Sequence, residues 1–241
     1  MKPNKQDFLN QYRENTIIEV VQALAKSMAG SHIAFKGGTA LKLFYDLPRY
    51  SEDIDYDSLP GVSPQDTPQE LINIIKGLCA KKKWEITDDA VKFYTLLVEL
   101  RFRGPDRNFH IKIEISTREK ELKTAILSLR GVPVVTLEPS FLMTEKLLSF
   151  LDRQAGRDFF DSWFILKSAY PLDEAIIKAA FGNRAEFFEA MLNTIKKADS
   201  KKILRDTGKL LKQDYRNWIK TSFLFDFERL IINELSILNL A

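Results

Sequence analysis

The chain has 241 residues, 45% of them apolar and 29% charged, and a net charge of +3. That balance excludes collagen-like, low-complexity and disulfide-stapled chains, and no apolar run approaches the roughly 20 residues that span a bilayer. Cys79 is the only cysteine, so no intramolecular disulfide can form, and the polar start of the chain lacks the apolar core of a secretion signal; a soluble protein of a reducing cytoplasm, with no membrane partner, is expected.

Ile17, Ile18, Val20, Val21, Leu24 and Met28 recur at helical spacing and predict a helix over 6–29, with Gly30 as its stop. A short apolar run over 32–35 then reads as a strand entering the tight turn Lys36-Gly37-Gly38. Thr39 is placed to cap a following helix through Phe44, which Pro48 ends. Ile54 and Tyr56 alternate with Asp53, Asp55 and Asp57, the pattern of a strand with one acidic face. Turn formers over 61–68 predict a loop, and 68–83 a helix. Two strands over 91–102 and 109–116, joined through Gly104-Pro105, form a hairpin candidate, and 132–136 a further strand. From Ser140, taken as a cap, the chain reads as helical, broken at Gly156, Pro171, Gly182 and Gly208. The expected class is therefore α+β, with strands and helices mixed over 1–136 and an all-helical lobe over 137–241. No flexible linker separates the two, so they are expected to pack as one unit.

The chemistry concentrates at two places. Asp53 and Asp55, at i and i+2 on a strand, point to one face, where their oxygens can share hard divalent cations such as Mg2+ or Mn2+. Metals held this way can activate an attacking hydroxyl and stabilise a leaving pyrophosphate. The turn Gly37-Gly38-Thr39 allows backbone amides to approach a triphosphate, with the dipole of the next helix behind it. A bare Asp-x-Asp or Gly-Gly-Thr is common in exposed strands and plain corners; the combination in one strand–turn–helix–strand unit is what favours function. A third carboxylate could come from Glu114, since Ile111, Ile113 and Ile115 can bury one face of their strand and leave His110, Lys112 and Glu114 on the other; an ordinary solvated face is the equal alternative. His110 and His32 are read as structural.

The second place is Glu145-Lys146 with Gly156-Arg157-Asp158-Phe159-Phe160-Asp161. Lys146 lies beside an apolar helix face and can either reach solvent or enter a cleft as a cation for phosphate. Asp158 and Asp161 share one face of the next helix. Asp161, near Trp163 and Phe164, needs a partner that Lys146 or Arg157 could supply, so a salt bridge between helices competes evenly with a catalytic role. Basic clusters at Lys81-Lys82-Lys83, at Lys196, Lys197, Lys201 and Lys202, and at Lys209, Lys212 and Arg216 permit a polyanionic partner such as RNA. Phe187, Phe188, Trp218, Phe223, Phe225 and Phe227 are expected in a core rather than in a base-stacking platform.

Taken in order, Phe35-Lys36-Gly37-Gly38-Thr39-Ala40-Leu41, Arg49-Tyr50-Ser51-Glu52-Asp53-Ile54-Asp55, Glu145-Lys146-Leu147, and Arg153 with Gly156-Arg157-Asp158-Phe159-Phe160-Asp161 resemble the AbiEii/AbiGii toxin family of nucleotidyltransferases, to which the MenT toxins are related. The resemblance spans roughly 10–170 and implies a DNA polymerase beta-like core followed by a helical lobe. It further implies a toxin of a type IV toxin–antitoxin or abortive-infection system, paired with an AbiEi-type antitoxin. Such a toxin would move a nucleoside monophosphate from an NTP to RNA, in some relatives the 3′ end of tRNA. By motif position, Asp53 and Asp55 would bind metal and Lys146 and Asp161 would complete the essential set. Gly37, Gly38, Thr39 and Lys146 would hold phosphate, with Arg49, Ser51, Arg157 and Asp158 in supporting places. Two other readings stay open: transfer to a protein side chain or small molecule, and a non-catalytic nucleotide-binding module.

Overall fold

A computed structural model describes residues 5–59, 67–118 and 120–238. The loop expected over 61–68 falls mostly outside the described residues, which resume in the helix Thr67–Lys82. Contacts divide the chain into two compact units, Met1–Glu138 and Pro139–Ala241.

The first unit is built on a sheet of seven strands among the described residues: β1 (Ile33–Lys36), β2 (Ile54–Ser58), β3 (Glu85–Lys92), β4 (Thr95–Arg103), β5 (Asn108–Ser116), β6 (Thr124–Leu129) and β7 (Val132–Leu137), in the order β3-β4-β5-β2-β1-β7-β6. The acidic strand β2 is central, antiparallel to β1 and parallel to β5. Register puts Phe35 beside Tyr56, Ile54 beside Ile113 and Val98 beside Ile113. These residues are all buried, and the period of two makes theirs the apolar face. Helices α1 (Lys5–Ala25) and α3 (Thr67–Lys82) pack on the sheet and on each other. The opposite face carries Lys36, Asp55, Asp57, Lys112 and Glu114, as the isoleucine alternation in β5 predicts.

Several boundaries differ from expectation. Helix α1 ends at Ala25, and a 3-10 turn over Met28–Ser31 follows. Gly30 lies so close to the helix end that a Cβ would meet the Ala25 carbonyl oxygen at 2.4 Å. The single strand expected over 91–102 is the end of β3, a turn, and β4.

In the second unit, α4 (Pro139–Arg153), α5 (Gly156–Lys167), α6 (Glu174–Phe181), α7 (Arg184–Lys196), α8 (Ser200–Thr207), α9 (Gln213–Thr221) and α10 (Phe223–Leu238) surround a phenylalanine core. Phe150, Phe160, Phe187, Phe188, Phe223 and Phe227 are fully buried, and such burial is worth about 1.5–3 kcal/mol per side chain. Phe225 departs from the expected core: Phe223, Phe227 and Ile231 fix the inner face of α10, so Phe225 points outward, 61% exposed. Helix α4 starts at Pro139, and Ser140 lies inside its first turn. No described helix is long and apolar enough to cross a membrane.

Candidate functional site

In the first unit the glycine turn opens helix α2 (Gly37–Tyr45) at the end of β1. Gly37 adopts φ 76°, in the left-handed region that favours glycine. A Cβ on it would lie 2.2 Å from Asp55 Oδ2, so the turn sits directly against that carboxylate. A Cβ on Gly38 would lie 2.3 Å from Arg49 Nη2. Backbone is therefore held close to an acid on one side and a guanidinium on the other. Gly37→Ala is expected to cost about 1–2 kcal/mol in backbone strain and to push Asp55 out of place. A lowered melting temperature together with weakened Mn2+ binding would bear this out; an unchanged melting temperature and unchanged Mn2+ binding would refute it.

Thr39 lies in the first turn of α2, not at the cap, which is the extended Lys36. It is buried, and its hydroxyl donates to the Asp53 carbonyl and lies 2.8 Å from the Ser51 hydroxyl. Thr39 and Ser51 thus pin the backbone that delivers Asp53. Arg49 is buried as well, with Nη1 donating to the Tyr50 carbonyl at 2.8 Å. Arg13 of α1 reaches Glu52 at 2.5 Å, securing the same segment from outside.

Asp53 and Asp55 are half-buried, whereas Asp57 is only 1% exposed. Asp57 is held by the ammonium of Lys36 and, at 3.1 Å, by that of Lys120. The acidic face is therefore divided, with Asp57 held by two lysines and Asp55 lying against the glycine turn. Residue types and spacing alone could not reveal this, because Lys120 lies outside any periodic element. Glu114 is the register neighbour of Asp55, but its carboxylate lies 3.4 Å from Lys112 Nζ. Among the described residues no three His, Cys, Asp or Glu side chains gather as a metal-holding group. Two hard carboxylates still suit a divalent cation that takes its other ligands from water and a triphosphate. Cys79 is no candidate nucleophile, since burial pushes its thiol up to about 11.

In the second unit the structure brings Lys146, Asp158 and Asp161 together. Lys146 Nζ lies 2.8 Å from both Asp158 Oδ1 and Asp161 Oδ2, and Arg153 Nη2 lies 3.0 Å from Asp158 Oδ1. Lys146 and both aspartates are nearly or fully inaccessible, while Arg153 is exposed. The salt bridge between α4 and α5 that was open to Asp161 is present, with Lys146 as its cation; Arg157 is half-buried at the start of α5. The sequence reading missed Asp206, which accepts from the Gly156 amide at 3.2 Å. Gly156 is required there, because a Cβ would meet Asp206 Cβ at 2.7 Å.

Two solved structures share this fold along almost the whole chain. JHP933 from Helicobacter pylori is 18% identical, with a TM-score of 0.56 over 95% of this chain and 96% of its own. A candidate nucleotidyltransferase from H. pylori is 20% identical, with a TM-score of 0.59 over 98% and 99%. No curated protein matches the chain. The sequence profile of the nucleotidyl transferase AbiEii toxins of type IV toxin–antitoxin systems matches residues 19–230. That match covers most of the chain, and the chain belongs to the AbiEii nucleotidyltransferase toxin family.

Proposed function

We propose that the protein is a metal-dependent toxin that transfers a nucleoside monophosphate from an NTP to an RNA, with the 3′ end of tRNA as the acceptor. The observation that carries this reading is Gly37 at φ 76°, packed against the Asp55 carboxylate at the head of α2. That arrangement suits a triphosphate approaching backbone and helix dipole beside hard-cation ligands. Asp53 and Asp55 would hold Mg2+ or Mn2+, which supplies charge neutralisation at the phosphates. Thr39 and Ser51 keep Asp53 in place, and Lys146 with Asp161 forms the remaining essential pair. The RNA 3′-hydroxyl gives up its proton to solvent and attacks the α-phosphorus, a new P–O bond forms, the bond to the β-phosphate bridge breaks, and pyrophosphate leaves. The AbiEi-type antitoxin would be the cellular partner.

Incubation with α-labelled NTPs, total RNA and a protein lysate tests the acceptor. Label is expected in RNA 3′ ends, lost on chelation and in the Asp53→Ala, Asp55→Ala double variant. Labelled protein beside unlabelled RNA would overturn the RNA reading.

A further inference from the structure

The helical unit holds a second chemically distinctive place. Trp163 and Lys167 leave α5 on a different face from Asp158 and Asp161 and meet Tyr215 and Trp218 of α9. The Trp163 and Trp218 rings lie 4.5 Å apart with their planes at 57°, and Tyr215 stands 6.4 Å from Trp163 and 6.2 Å from Trp218. Lys167 Nζ sits 4.7 Å over the Trp163 ring. Trp218 Nε1 donates to Asp226 Oδ2 at 2.6 Å, which fixes the indole. With Asp214 these groups line a cavity of about 440 Å³, within the range of small-ligand sites.

The chemistry of this cavity matches a nucleobase. Trp163, 5% exposed, backs the wall, the half-buried Tyr215 and Trp218 offer ring surface to a flat ring, and the Asp214 and Asp226 carboxylates accept from ring or exocyclic N–H groups. Lys167, over the Trp163 ring, adds a cation to the cavity wall. The surroundings then separate a polymer from a free nucleotide. Between Lys196 and Lys220, eight lysines and arginines are exposed (Lys196, Lys197, Lys201, Lys202, Arg205, Lys209, Lys212 and Lys220) against two exposed aspartates, Asp199 and Asp214. This run includes α8, which packs on both α5 and α9, the helices that supply the pocket. So many cations answer a phosphate backbone, not one nucleotide.

We propose that the helical unit binds single-stranded RNA, seating one unpaired base against Tyr215 and Trp218 and its backbone on the exposed cations of 196–220. The inference deepens the RNA-acceptor reading and rests on it.

The test uses the full chain carrying Asp53→Ala and Asp55→Ala, so that no turnover occurs, and a fluorescent single-stranded RNA 12-mer followed by anisotropy across a salt series. Trp218→Ala and Tyr215→Ala are each expected to weaken binding about tenfold, with Trp218→Phe keeping most of it. Joint Lys201→Glu, Lys202→Glu and Lys212→Glu replacement is expected to flatten the salt slope by about 0.7 per lost phosphate contact. Lys178→Glu, an exposed cation outside the run, should change neither. Thermal unfolding confirms that each variant is folded, and Trp218→Phe and Tyr215→Ala carry the test if Trp218→Ala is not. Folded variants that bind the 12-mer like the parent overturn the proposal, as does AMP binding as tightly as the 12-mer. The two readings fail separately. Unchanged RNA labelling by active Trp218→Ala enzyme, at unchanged KM for RNA, removes the pocket alone. Absence of RNA labelling, with the binding losses intact, removes the acceptor reading alone.

Discussion

Asp55→Asn is expected to lower nucleotidyl transfer about a thousandfold, corresponding to roughly 4 kcal/mol of lost transition-state stabilisation, while leaving the fold nearly as stable as before. The amide has the shape of the carboxylate and keeps its contact against Gly37, so the turn loses charge but not packing. Asparagine is a poor ligand for a hard dication, and no neighbouring acid substitutes, since Glu114 lies beside Lys112 and Asp57 is held by two lysines. Asp57→Asn, two residues along the same strand, should behave oppositely. It would leave Lys36 and Lys120 around a neutral buried amide and cost on the order of 3 kcal/mol in stability before any chemistry is lost. Pyrophosphate release and denaturant midpoints, measured on both variants, separate these effects. Full activity in Asp55→Asn would remove the metal-ligand assignment.

Lys146→Met carries the largest expected effect on stability. Its ammonium is the shared partner of two buried carboxylates, and the other cation at Asp158, Arg153, is exposed. Removing one member of a buried pair leaves an uncompensated charge and typically costs about 3–5 kcal/mol. Asp161→Asn should cost a comparable amount. The double variant should fall well short of the sum of the two, because the residues share one interaction. Urea midpoints of the four proteins give the coupling directly. Additive losses would show that Lys146 and Asp161 do not act as a pair. Lys146→Arg keeps the charge but changes the reach, so it should retain most of the stability while transfer reports on the finer geometry.

The parts of the fold visible in the sequence were those where one period dominates. The isoleucine alternation of β5 and the Ile54–Tyr56 alternation of β2 each mark a strand with one buried face, and both strands lie in the middle of the sheet. The strands that escaped notice are peripheral. Strand β3 is an edge strand, exposed along most of its length, and its Glu-Ile-Thr-Asp-Asp-Ala-Val-Lys sequence has no apolar rhythm. Strand β6 joins β7 through Arg130 at φ 49° and Gly131 at φ 84°, a two-residue turn with both central residues left-handed, but Arg-Gly is not among its usual signatures. Asp53, Asp55, Lys146 and Asp161 could be singled out from motif position, and Lys146 was one of the two partners open to Asp161, but the partners of Asp57 and Thr39 could not be read. Thr39 presents the limit well: a hydroxyl at a helix start reads as a cap or a phosphate contact, and only the fold shows it turned to the Asp53 carbonyl.

The pairing of Asp57 with two lysines has an electrostatic consequence for the whole of β2. Three aspartates at alternate positions would ordinarily repel one another and spread negative potential evenly along the strand. With Asp57 compensated inside the protein by Lys36 and Lys120, its charge adds little to the potential at the Ser58 end of the strand. A dication diffusing along that face is drawn little to that end, so the two lysines bias the attraction without touching what is attracted.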